Sequence, residues 1–366
     1  MARGLMEKQM SAAMTPTHRV MEGECAATNA QSVPAQVLIQ MATGCWISQI
    51  VSTAANLCIV DHLAGGPKSA GEIAEAVRCN PRALHRFMRA LANFGIVTSA
   101  GEQKFALTPL GEALKCGAPG GGRSTVLMTA GPLVWKCFEQ LQYSVETGKT
   151  VMEKAFGTPL FDYLAQHPEL ASQFSEAMVG IHSAEPAAVA ASYDFSPLEV
   201  IVDVGGATGN MLAHILTRYP QCRGVLFDCP HVVADALTFL RSKRVESRVR
   251  IEAGDFFKSV TGGGDAYILS HIIHDWSEEQ CLTILGNCRK AMRPRSKLLI
   301  LEFVLPEGDE PHIGKLLDMT MLAVTGGEER TATEYRTLLA RAGLTMTRVI
   351  PTGSDVSIVE AELLNH

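Results

Sequence analysis

The sequence predicts a doubly wound α/β sheet that ends in an antiparallel hairpin, preceded by a smaller winged-helix module. Three observations carry this expectation. Beyond Glu199, short apolar strands alternate with amphipathic helices, the pattern of a mostly parallel sheet. The last two strands are joined only by residues 351–355, too short for a helical crossover, so they must run antiparallel. A turn, Gly205-Gly206-Ala207-Thr208-Gly209, links the first of these strands to a helix and leaves bare backbone where a ligand can approach.

Bulk properties set the limits. At about 150 residues per domain, 366 residues suggest two or three domains. With 47% hydrophobic and 19% charged residues and a net charge of −6, the composition suggests neither disorder nor a nucleic-acid partner. No uninterrupted apolar run approaches the roughly 18 residues of a membrane span. The longest candidate, 298–305, is broken by Glu302 and stopped by Pro306, so no membrane association is expected. No apolar block of secretory length opens the chain, which points to a cytoplasmic protein. The ten cysteines include no Cys-x-x-Cys pair, and Cys222/Cys229 and Cys281/Cys288 lack partners for a zinc ligand set. Buried free thiols and no metal are expected.

Residues 1–33 show no sustained period and read as a flexible tail. Over residues 35–63, Val37, Leu38, Met41, Trp46, Ile47, Ile50, Val51, Ala54, Leu57 and Cys58 recur at helical spacing on a face too broad for one neighbour. Helices follow at 69–77 and 80–94, the second with Asn80 as N-cap, Pro81 at the first helical position and Gly95 to end it. A hairpin, 96–98 and 104–107 around a turn at 100–102, completes a winged helix over 34–120. Arg82, His85, Arg86 and Arg89 could face phosphate, but Glu72, Glu75, Glu102 and Glu112 dilute the patch. A homodimerisation module whose first helix packs on a second copy is the preferred reading, without nucleic acid. Residues 121–198 form a helical connector, and its aromatics, Trp135 and Phe174 among them, are candidates for the lining of a pocket capped by these helices.

The domain at 199–366 has strands at 200–204, 224–227, 249–253, 266–270, 298–304, 344–350 and 356–363, with helices starting at Asn210, His231, Ser277 and Thr333. Its chemistry gathers at strand ends. Asp203 ends the first strand before Gly205, and Ala207 and Asn210 occupy the positions of the second and third glycines of a dinucleotide fingerprint, which weakens that option. Asp228 closes the second strand, where an acceptor-only carboxylate can hold two ribose hydroxyls. Asp255, with Phe256 beside it for stacking, sits where an adenine amino group would be read. The fourth strand runs through Ser270 into His271-Ile272-Ile273-His274-Asp275-Trp276, placing His274 at the carboxyl edge of the sheet. An imidazole with a pKa near 6.5 is the usual base for a hydroxyl proton at neutral pH. Glu302 on the fifth strand and Glu329 in Gly326-Gly327-Glu328-Glu329-Arg330-Thr331 are candidates to orient it. Thr331 and Glu334 form a capping box that frees Glu329 for this task.

These motifs, in this order, resemble the caffeate and acetylserotonin type of S-adenosylmethionine-dependent O-methyltransferases, and the likeness runs from about Val37 to the C-terminus. The resemblance implies a Rossmann-like class I methyltransferase sheet and an intimate homodimer built by the winged-helix region. It also implies S-adenosylmethionine as methyl donor, S-adenosylhomocysteine as product and no metal. Carried over by position, Asp203, Gly205, Asp228, Asp255, Phe256 and Ser270 would meet the cofactor, and His274 would be the base flanked by Glu302 and Glu329. Phe174, Met178, Met321, Trp135 and Asp275 would line the acceptor pocket. Ser270 stands where plant members carry Lys, Ala207 replaces a usual Gly, and Val324-Thr325 replaces Asn-Pro, so a plant phenylpropanoid pocket is not reproduced. The acceptor expected is a small phenol, phenazine or polyketide-like aromatic. Methylation of nitrogen or carbon, non-methylating chemistry on the same fold, and a regulator that senses S-adenosylmethionine are the alternatives.

Overall fold

The computed structural model describes residues 34–364. They divide into two compact units, one of residues up to 133 together with 169–181, the other of 134–168 together with 182 onward.

The larger unit is built on a seven-stranded sheet of β1 (Val200–Val204), β2 (Arg223–Asp228), β3 (Val249–Ala253), β4 (Ala266–Ser270), β5 (Lys297–Glu302), β6 (Leu344–Pro351) and β7 (Ser357–Leu363). The order across the sheet is β6-β7-β5-β4-β1-β2-β3. β1 to β5 are mutually parallel, while β7 pairs antiparallel with both β5 and β6, as the short 351–355 connection requires. β1, β4 and β5 read almost without a break as buried Val, Ile and Leu because helices cover both faces of a parallel sheet. One core holds Ile201, Leu212, Leu226, Ile268 and Leu301, and the other Val202, Val225, Leu269, Leu298 and Tyr335, on opposite sides of the same strands. The order in which strands are added reverses between β1 and β4, so the carboxyl ends of β1, β2, β4 and β5 frame the crevice where such folds bind ligands.

The smaller unit has helices Pro34–Asn56, Ala70–Ala76 and Pro81–Asn93 and strands Val97–Ser99 and Lys104–Leu107. Asn80 caps its helix through Ala83 N, and Ser69 and Glu72 form a capping box. Alongside these expected features are several corrections. The expected continuous stripe over 35–63 breaks at Cys58, whose φ of 49° is left-handed, and resumes as a 3-10 turn Ile59–Leu63. Strand Lys68–Ser69 adds a third member to the hairpin, too short to carry a sequence period. The helix expected from His231 starts at Ala236, after a 3-10 turn. The strand expected over 298–304 stops at Glu302, and Val304–Leu305 leaves the sheet to pair in parallel with Arg330–Thr331. The flexible tail expected at 1–33 lies outside the described residues.

Two statements drawn from composition also change. The helix Pro34–Asn56 spans 23 residues with a best window of mean hydropathy 1.2, long and apolar enough to cross a membrane. Scanning for unbroken runs misses it because Gln40, Thr43, Ser48 and Gln49 punctuate the helix without lowering its mean enough. Among the described cysteines, Cys137, Cys222, Cys281 and Cys288 are buried free thiols, but Cys45 and Cys116 are exposed.

Candidate active site

The glycine turn follows directly from β1. Gly205 has φ +74°, a left-handed conformation that favours glycine, and a Cβ there would stand 2.5 Å from Ile272 Cδ1, so the Ile272 side chain would have to shift. Ala207 keeps a left-handed φ of 49° although it has a side chain. Its backbone N–H donates to Asp228 Oδ2 at 2.9 Å, and Cys229 N–H donates to Oδ1 at 2.6 Å. Burial raises the Asp228 carboxyl and these two bonds lower it. An ionised carboxylate has about four acceptor positions, so two remain for a diol.

Asp203 lies beneath the turn, fully buried, and a Cβ on Gly206 would come within 2.5 Å of its Cγ. Neither of its oxygens has a hydrogen-bond partner among the described residues. Burial, with the Asp228 charge adding to it, pushes its carboxyl up to about 7. Asp255 and Phe256 follow β3. The Asp255 carboxylate accepts from Phe257 N–H at 2.9 Å and pairs with Lys258 at 3.2 Å, while Phe256 packs edge-on against Trp276 at 6.0 Å. Ser270 is half-buried at the end of β4.

After Ser270 the chain makes a tight turn, and His271 sits at φ 53°. A non-glycine residue held there costs roughly 1–3 kcal/mol, and such strain clusters at working sites. His274 is buried, and its Nδ1–H donates to Glu329 Oε1 at 2.6 Å. With a carboxylate on Nδ1, the basic nitrogen left is Nε2, which lies 3.9 Å from Asp275 Oδ2. Burial alone would lower the imidazole pKa, but Asp275, the bond to Glu329 and the Glu302 charge outweigh it and raise it to about 10. Asp275 is itself raised to about 6, chiefly by burial, against the pull of His274.

Glu302 and Glu329 do different work. The expectation that both flank the ring holds in contact terms for Glu329 only. Glu302 Oε1 accepts from the backbone N–H groups of Ile272, Ile273 and His274 at 3.1, 2.6 and 3.2 Å, and its other oxygen takes the Tyr335 hydroxyl. It therefore holds the turn that carries His274. Glu329 is positioned by its own N–H bond to Asp318 Oδ1 at 2.8 Å, and by Glu328 N–H donating to the His274 carbonyl at 2.9 Å. A Cβ at Gly327 would fall 1.8 Å from that carbonyl oxygen, so the loop can lie this close only with glycine there. The parallel pairing of Val304–Leu305 with Arg330–Thr331 brings the segments after Glu302 and Glu329 together.

Among the residues expected in the acceptor pocket, Asp275 and Met321 are in this unit near the base. Met321 is buried and opens a π-turn, Met321–Thr325, in which Gly326 N–H reaches the Met321 carbonyl at 2.8 Å. Such a turn is common at functional sites and leaves no period in a sequence. Trp135 is 39% exposed on the helix Pro132–Glu139. Phe174 and Met178 are half-buried on the helix Pro168–Ile181, within the stretch that belongs to the smaller unit. Phe161, one of the connector aromatics, packs against Trp276 at 5.3 Å, whereas sequence reasoning missed Ile272 over the glycine turn, Asp318 behind Glu329, and the trio His182, Glu185 and His271. For the trio, the spacing His182-x-x-Glu185 was the available signal, but only the fold shows that His271 joins it.

Comparison with known proteins is consistent across the chain. Residues 138–345 match the O-methyltransferase domain family and residues 39–115 the O-methyltransferase dimerisation domain family. The chain is 42% identical over 333 residues to the phenazine O-methyltransferase PhzM of Lysobacter antibioticus, covering 91% of this chain and 97% of that one. It is 35% identical to the 8-amino-8-demethylriboflavin N,N-dimethyltransferase of Streptomyces davaonensis, covering 89% and 94%. The crystal structure of NcsB1, an O-methyltransferase from neocarzinostatin biosynthesis in complex with S-adenosylmethionine and 2-hydroxy-5-methyl naphthoic acid, aligns with TM-score 0.79 at 30% identity, covering 92% and 100%.

Proposed function

Because the chain belongs to the O-methyltransferase family and carries that family's dimerisation domain, we propose that it methylates a hydroxyl of a small, flat aromatic acceptor with His274 as general base, using S-adenosylmethionine. Its sheet is the Rossmann-like class I methyltransferase fold, and it is a methyltransferase. The observation that carries the proposal is the buried imidazole held by Glu329 through Nδ1, which leaves Nε2 as the only basic nitrogen of the ring.

The residues around the glycine turn fit the cofactor: a bare loop at Gly205, a carboxylate with free acceptor positions at Asp228, and an aromatic at Phe256. When bound, S-adenosylmethionine supplies an electrophilic methyl group on a sulfonium. Asp228 would hold the ribose diol, Asp255 the adenine amino group, and Asp203 would support the turn from below. His274 Nε2 would take the proton of the acceptor hydroxyl, and Glu329 on Nδ1 would stabilise the imidazolium that results. A phenol with pKa near 10 is a poor nucleophile until deprotonated, and positioning contributes further. A positive charge held near the ring would lower its raised pKa and favour the neutral, basic form. The second copy in the proposed homodimer is held by the smaller unit.

The N,N-dimethyltransferase relative makes an amine acceptor the second reading. A neutral aromatic amine offers its lone pair without losing a proton first, so base loss separates the two. With hydroxylated aromatics, His274→Ala should lower turnover by the ~10²- to 10⁴-fold typical of general-base loss and leave S-adenosylhomocysteine affinity unchanged by calorimetry. Undiminished turnover in the variant would remove His274 from the mechanism.

A further inference from the structure

Beside the base stands a second glutamate–histidine pair. His271 Nε2–H donates to Glu185 Oε2 at 2.7 Å, and the other oxygen of Glu185 accepts from His182 Nδ1–H at 2.9 Å. The His182 and His271 rings stack at 3.7 Å with 29° between their planes. Two histidines and a carboxylate are a familiar set of metal ligands, but stacked rings send their nitrogen lone pairs out side by side. Side-by-side nitrogens suit the two oxygens of one carboxylate and do not converge on a single ion at about 2.0–2.1 Å. The arrangement is therefore a carboxylate held between two imidazoles, and it sets the tautomer of each.

For His271 the consequence is chemical. With Nε2 protonated toward Glu185, Nδ1 is left as an acceptor, and it is buried with no hydrogen-bond partner among the described residues. A buried acceptor without a donor is costly and rare. The ring lies 5.3 Å from the His274 ring, and the left-handed backbone at His271 keeps it at the carboxyl edge of β4. We infer that His271 is a specificity-determining residue whose Nδ1 receives a hydrogen bond from a second donor on the acceptor, adjacent to the hydroxyl presented to His274. The favoured acceptors are then aromatics with neighbouring donors, such as an ortho-diol or an ortho-aminophenol. Burial and the two neighbouring imidazoles lower the His271 pKa to about 4, so the ring stays neutral and its lone pair stays available through the physiological range.

The inference rests on the proposed function for the placement of the reacting hydroxyl, and its test is independent of turnover. Binding of 2,3-dihydroxynaphthalene and 2-hydroxynaphthalene is measured by calorimetry with S-adenosylhomocysteine present. The wild type should prefer the diol by about tenfold, the size of one buried hydrogen bond. In His271→Phe the preference should fall to about twofold at most. Glu185→Gln, which loosens the tautomer without emptying the ring position, should reduce the preference to an intermediate value. S-adenosylhomocysteine affinity reports whether each variant is folded. Should His271→Phe fail to fold, the decision passes to Glu185→Gln. Equal binding of the two compounds by the wild type, or an unchanged preference in the folded variants, overturns the inference. If the preference holds but neither compound is methylated, the proposed function fails and the binding role of His271 stands.

Discussion

Three carboxylates act on His274, and they differ in how they act. Asp275 lies 3.9 Å from Nε2, Glu329 bonds Nδ1, and Glu302 holds three backbone amides of the turn and adds its charge. The sign of the pH effect follows. A raised imidazole pKa means that the basic form appears only as pH climbs, so turnover of the wild type should increase through the alkaline range. Glu329→Gln removes an anion that favours the charged ring and lets the pKa fall back toward 6.5. The rising limb of the pH–rate profile should move to lower pH in this variant, with a lower plateau because the imidazolium loses its partner. An unmoved limb would show that Glu329 does not set the protonation of His274. At the cofactor edge, Asp228→Ala removes charge-assisted hydrogen bonds that each contribute roughly 1.5–3 kcal/mol. S-adenosylmethionine affinity measured by calorimetry should fall at least about tenfold.

At the scale of elements, the site depends on a loop that passes unusually near the turn carrying the base. The segment around Gly326 and Gly327 leaves the π-turn, crosses the His274 carbonyl and delivers Glu329 to the imidazole. Gly327→Ala places a methyl group where the backbone now lies, and overpacking of this kind costs typically about 1–3 kcal/mol. The loop should yield before the sheet does. The expected outcome is a drop in turnover comparable to that of Glu329→Gln, with S-adenosylhomocysteine affinity within about twofold of wild type. If Gly327→Ala is fully active, the close approach is not needed for catalysis.

At the scale of the molecule, the smaller unit presents an apolar surface. Leu38, Ile39, Met41 and Trp46 are each more than 60% exposed on the helix Pro34–Asn56. The dimerisation-domain match begins within this helix, at residue 39. A homodimer with an obligate interface above roughly 2,000 Å² would cover this face. Light scattering at micromolar concentration should give twice the 39.4 kDa chain mass. Leu38→Asp with Trp46→Asp should shift it toward the monomer. A monomeric wild type, or retention of the chain on lipid vesicles instead of self-association, would contradict this use of the helix.

Much of this protein is legible in its sequence because period and punctuation are local properties. The strands β1, β2, β4 and β5 show as apolar runs and β3, β6 and β7 as mixed apolar and polar segments, Asn80 and Ser277 show as caps, and the short 351–355 link alone dictates the antiparallel end of the sheet. The acids and the histidine at strand ends are visible for the same reason, since a strand followed by a turn fixes which residue reaches the edge. What the sequence does not contain is distance between segments remote along the chain. Glu302 and Glu329 look equivalent as candidates, and only the packing of Tyr335 and of the 326–329 loop gives one to the backbone and the other to the ring. Glu185 and His271 meet across 86 residues, and Gly327 matters because a carbonyl from another loop lies against it. Hydrophobic periodicity selects the architecture one element at a time. Hydrogen bonds between those elements, satisfied or left open in a buried space, decide which side chains form the site, and they exist only once the chain is folded.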